Sequence, residues 1–65
     1  MNKSEIERLL NGQIVKIGRN QIHLDGELFI VEKYISTDGG EDVFEVYDGY
    51  DDIYEAIKNA RILRP

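Results

Sequence analysis

Cysteine and tryptophan are absent from this chain of 65 residues, and histidine and proline occur once each. Without cysteine there is no disulfide and no thiolate metal site. His23 alone cannot supply a zinc set, so no metal and no cofactor is expected. A single core of this size rarely supplies more than about 3–5 kcal/mol, and neither of the usual staples is open to it. No apolar run approaches the roughly 18 residues that a membrane span needs. The opening residues Met1-Asn2-Lys3-Ser4-Glu5 are polar, unlike a secretory signal. The expected compartment is therefore the cytoplasm, of a cell or of a virus's host.

Catalytic constellations are missing too. There is no Cys/His or Ser/His pair with an orienting partner, and no phosphate-cradling glycine loop. One small core leaves no room for a deep pocket. A hydrolase built from carboxylates alone would need one of them buried, whereas the acids here sit in polar surroundings. Asp48-Gly49-Tyr50-Asp51-Asp52 has the look of a calcium loop, but Tyr50 occupies a ligand position and Gly49 is out of place for the sharp turn. A binding protein, not an enzyme, is expected.

The most telling absence is of positive charge. Residues 34–57 hold eight acids and no lysine or arginine. Residues 1–33 balance five bases against five acids, and residues 58–65 add three bases, giving a net charge of −5. The eight acids are Asp38, Glu41, Asp42, Glu45, Asp48, Asp51, Asp52 and Glu55, with Tyr47, Tyr50 and Tyr54 among them. Turns, a polar strand face and a helix start each favour acids individually, but so many unneutralised charges also repel one another. Tyrosine supplies contact area with few rotors. The eleven residues together are expected to form a surface for a basic partner, through ion pairs and cation–π contacts.

What is present specifies one folded domain over 1–65, with 42% hydrophobic residues. Ser4-Glu5-Ile6-Glu7 has the form of a capping box, with Ile6, Leu9 and Leu10 on one stripe and Gly12 as a left-handed stop, predicting a helix over 4–11. From Gln13 onward the period is that of strands. An Arg19-Asn20 loop would set Ile17 opposite Ile22 and Val15 opposite Leu24. A Gly26-Glu27 loop sets Leu24 opposite Phe29 and Ile22 opposite Val31, although Asp25-Gly26 is the better turn dipeptide. A loop centred on Gly39-Gly40 pairs Ile35 with Phe44, and a three-residue loop pairs Lys33 with Glu45 instead; burial favours the first. The apolar face then comprises Val15, Ile17, Ile22, Leu24, Phe29, Val31, Ile35, Phe44 and Val46.

Ile53, Ala56, Ile57 and Ala60 recur at helical spacing after Asp48 or Asp51 as cap, and residues 61–64 are open to a fifth, edge strand. The expected fold is α+β: an antiparallel four-stranded meander with two short helices on one face, in the order α-β-β-β-β-α. Ile14, Leu28, Ile30, Tyr34 and Tyr47 fall on the second sheet face, which is too apolar to be left to water and suggests a homodimer. The leading functional expectation is a small acidic inhibitor, of the kind frequent in phage and mobile elements, that occupies a basic nucleic-acid-binding surface. One alternative is a homo-oligomer holding a small ligand between subunits. Another is direct nucleic-acid binding through Lys16, Arg19 and His23, against which the net charge argues.

Overall fold

The computed structural model describes residues 3–63. Helix α1 (Lys3–Leu10) leads into four strands, β1 (Val15–Ile17), β2 (Asn20–Asp25), β3 (Leu28–Asp38) and β4 (Glu41–Tyr50), and helix α2 (Ile53–Ile62) follows. The strands form one antiparallel sheet in the order β1-β2-β3-β4, so β1 and β4 are its edges. The fold is the expected small α+β meander.

Glycine chemistry sets the register. Gly18 (φ 64°) and Gly26 (φ 62°) each open a two-residue loop and are followed by a residue of negative φ. Glycine at the first central position is the signature of a type II′ hairpin. The first loop is therefore Gly18-Arg19, not Arg19-Asn20, and Val15 pairs with Ile22 while Ile17 pairs with Asn20. The Gly26-Glu27 loop gives Leu24↔Phe29 and Ile22↔Val31, as the apolar pattern predicts. Gly39 and Gly40 both have positive φ and close the third hairpin. At the end of α1, Gly12 (φ 82°) donates to Leu9 O at 3.0 Å and Gln13 donates to Arg8 O at 3.0 Å, a Schellman stop.

Both helices pack on one face. Leu9 of α1 and Ala56, Ile57 and Ala60 of α2 meet Val15, Ile17, Ile22, Phe29 and Val31 in a single buried cluster, with Leu24, Tyr50, Ile53 and Leu63 at its margin. Three residues expected in this core are elsewhere. Ile35 is exposed, Val46 is 64% exposed, and Phe44 is half-buried on the opposite face.

The cause is a pair of bulges. Ile35 has no partner between the pairs Tyr34↔Phe44 and Ser36↔Val43, and Tyr47 has none between Glu32↔Val46 and Val31↔Asp48. The Gly39-Gly40 loop thus forms as expected, yet the bulge at Ile35 also produces Lys33↔Glu45. One extra residue on each strand returns the ladder to its original register. It also places residues three apart, Tyr34 with Thr37 and Glu45 with Asp48, on a common face.

Bulges bend strands, and the sheet curls away from its helices. Lys16 on β1 lies 3.4 Å from Asp42 on β4, and its ammonium sits 4.7 Å from the Phe44 ring centre. In a flat sheet these edge strands would stand three spacings of about 4.8 Å apart. The curl half-buries Ile30, Glu32 and Tyr34 although no helix covers them, and buries Gln21.

The helix ends differ from expectation in detail. Asp52 caps α2, accepting from Tyr54 N at 2.8 Å, whereas Asp48 instead accepts from Gly49 N. Ser4 lies inside α1, one residue past its start, so the capping position falls outside the described residues. Arg61 and Ile62 belong to α2, and no fifth strand is found among the described residues; Arg64 lies outside them.

Asn20 locks the second helix down. Its Nδ2 donates to Ala60 O at 2.9 Å and to Leu63 O at 3.0 Å, while its Oδ1 accepts from Tyr34 N at 3.0 Å. With 2% exposure, this buried amide joins β2, β3 and the end of α2.

Candidate partner-binding surface

The acidic residues fall along one margin of the molecule. Strand β4 is an edge, and it runs through Asp51 and Asp52 into α2. Within it Glu45 and Asp48 lie on the helix-side face, brought together by the bulge at Tyr47, and Glu41 shares that face. Glu55 stands in the first turn of α2, where the helix dipole favours a negative charge. Asp38 and Glu41 face each other directly at the hairpin tip, a pairing that is repulsive in itself.

Asp42 is placed differently. It lies on the opposite sheet face, where Thr37 Oγ1 donates to its Oδ1 at 2.9 Å and Lys16 reaches its Oδ2. The Thr37 hydrogen bond, then Lys16, hold its carboxyl below the ordinary carboxylate range. Its charge is thereby partly neutralised. Glu45 also has a base opposite it, Lys33 on β3.

The tyrosines divide by role. Tyr50 packs against the core margin, and its hydroxyl is pushed up by burial and by the neighbouring Asp48. Tyr47 and Tyr54 are 51% and 69% exposed. Beside Tyr47 a shallow depression of about 200 Å³ is lined by Lys33, Glu45, Val46 and Tyr47. Carboxylates, exposed rings and a seat for a side chain thus lie along β4 and the start of α2.

Of the residues expected at a dimer contact, Leu28, Ile30 and Tyr34 share the open face of β3. Ile14 precedes β1 and is exposed, Tyr34 lies beneath Arg19, and Tyr47 is the bulged residue. Leu28 and Ile30 are close to Gly49, where an added Cβ would meet Ile30 Cδ1 at 3.1 Å and Leu28 Cδ1 at 3.5 Å. Of the residues considered for nucleic acid, Lys16 and Arg19 meet Phe44 and Tyr34. His23 Nδ1 instead pairs with Glu32 Oε1 at 2.7 Å, and Gln21 donates to the same oxygen.

Among the described residues, no group of three or more His, Asp or Glu side chains is placed to hold a metal ion, and no helix is long and apolar enough to cross a membrane. No known family model matches the chain, nor does any characterised protein or solved structure.

Proposed function

We propose that this chain is a small acidic protein-binding module, whose edge strand β4 and first turn of α2 take a basic surface of a partner. The observation that carries this reading is the alignment of Glu41, Glu45, Asp48, Asp51 and Glu55 along one margin that also exposes Tyr47 and Tyr54. Ammonium and guanidinium groups pair with such carboxylates and stack on such rings. Duplex nucleic acid presents about one charge per 1.7 Å of axis. A row of carboxylates suits the same basic surfaces, so inhibition of a nucleic-acid-binding protein in the cytoplasm is the role we infer.

The test uses a labelled lysine- and arginine-rich peptide and its glutamine-substituted counterpart, followed by fluorescence anisotropy. Binding of the basic peptide should weaken steeply with salt, as the Debye length falls from about 10 Å at 0.1 M to about 3 Å at 1 M. Reversing Glu45, Asp51 and Glu55 to lysine should abolish it; Asp52 is spared because it caps α2. Reversing Glu5 and Glu7 on α1 supplies the control. If that control weakens binding as much as the triple reversal, net charge is responsible and no located surface exists.

A second reading, a homodimer through the open sheet face, draws on the exposure of Leu28 (45%) and Val46 (64%) beside Ile30.

A further inference from the structure

The curl of the sheet creates a cleft that the acidic margin does not use. An open hollow of about 280 Å³ lies between the β1–β2 turn and the distal part of the β3–β4 hairpin, lined by Lys16, Gly18, Arg19, Tyr34, Thr37 and Asp42. The volume is near the lower end of small-ligand sites, about 300 Å³.

Its polar groups are held in place. Tyr34 Oη and Thr37 Oγ1 are 2.6 Å apart, Thr37 donates onward to Asp42, and Asp42 receives Lys16. Each cation rests on a ring: Lys16 over Phe44 at 4.7 Å and Arg19 over Tyr34 at 5.5 Å. The bulge at Ile35 makes this possible by turning Tyr34 and Thr37 to the same side.

The two carboxylate oxygens of Asp42 are already engaged, and Lys16 is shared with it. Arg19 is different. Its guanidinium carbon lies 5.5 Å from the Tyr34 ring centre and its charge acts on Asp42 through space, but it donates a hydrogen bond to no group among the described residues. A guanidinium without a hydrogen-bond partner keeps its N–H donors for a ligand, and they form a fork that matches a carboxylate or phosphate. In a chain of net charge −5, an arginine beside a lysine, with Asp42 the one acid lining the same hollow, is a local reversal of sign.

We propose that this cleft binds the oxyanion of a small ligand, a carboxylate or phosphate group, with Arg19 as the bidentate donor and Lys16 as the second positive charge.

The test is titration of the folded chain with sodium phosphate, and separately with sodium acetate, followed by amide and arginine side-chain NMR signals. Sodium chloride at matched ionic strength is the reference. Saturable shifts confined to Gly18, Arg19, Thr37 and Asp42, including the Arg19 Nε–H, are expected with at least one oxyanion. The two arms separate a phosphate preference from a carboxylate one. Arg19→Ala, with an otherwise unchanged spectrum, should weaken binding at least tenfold, and Arg19→Lys should restore only part of it. Shifts that chloride reproduces, shifts spread over the whole chain, or full binding by Arg19→Ala would each overturn the assignment. The outcome is independent of the peptide-binding test, since Glu45, Asp51 and Glu55 do not line this cleft.

Discussion

Replacing Asn20 with alanine removes one small side chain and leaves three groups without partners: Ala60 O, Leu63 O and Tyr34 N. Each lost hydrogen bond is worth about 0.5–1.5 kcal/mol net, and a group stranded away from water costs about 1–3 kcal/mol. The bonds to Leu63 O and Tyr34 N are only partly buried, so water can replace part of what is lost there. A total of about 2–4 kcal/mol follows. A domain of this length is stable by about 3–10 kcal/mol, so the change removes a large share of it. At about 4–8 °C per kcal/mol, the thermal midpoint should fall by roughly 10–25 °C. Circular dichroism melts and urea titrations measure this directly. Hydrogen exchange at the Tyr34 amide should also speed up more than at neighbouring β3 amides. Asn20→Asp should be at least as damaging, since it keeps the acceptor for Tyr34 but turns a carboxylate towards two carbonyls. A melting point within about 3 °C of the parent for Asn20→Ala would refute the idea that this amide holds α2 to the sheet.

Two further outcomes are expected. Thr37→Ala removes the hydrogen bond that does most to hold the Asp42 carboxyl low, so its titration, followed by carbon NMR, should move up towards the ordinary value of 3.8. Because the folded value is depressed, the contribution of Asp42 to stability is present above 3.8 and is lost as pH falls through the folded value. If the open sheet face pairs two copies, sedimentation at micromolar concentration should give a dimer, and Leu28→Lys with Val46→Lys should return it to a monomer. A monomeric parent removes that reading.

Much of this fold is legible in the residues themselves. The helical spacing of Ile53, Ala56, Ile57 and Ala60, the stop at Gly12 and the Gly26-Glu27 and Gly39-Gly40 loops all follow from local chemistry. The first hairpin is harder, because Asn20 is itself a good turn residue. Its actual role depends on carbonyls 40 and 43 positions away, which no local pattern displays. The misplacement of Ile35, Phe44 and Val46 has a similar origin. Ile35 and Tyr47 are strong strand formers, so nothing in their type marks them as unpaired. Among the acids, the run of charge shows their number and neighbourhood. It does not show that Asp42 lies on the other face with Lys16, 26 positions earlier in the chain. The signal that would have located the cleft is the Gly18-Arg19 dipeptide, since a type II′ turn there fixes Arg19 at the end of the hairpin.

Ile35 and Tyr47 have a separate consequence. Neither has a partner across the ladder, so a chain lacking both would keep every other cross-strand neighbour and the side on which each remaining residue stands. What it would lose is curvature. The margins of the sheet would swing apart, carrying Lys16 away from Asp42 and opening the hollow around Arg19, while the composition of both surfaces stayed the same. In this protein, which groups are opposite one another and how closely the two margins approach are written in different residues. Shape can therefore drift by single insertions or deletions without disturbing the pairing that folds the chain.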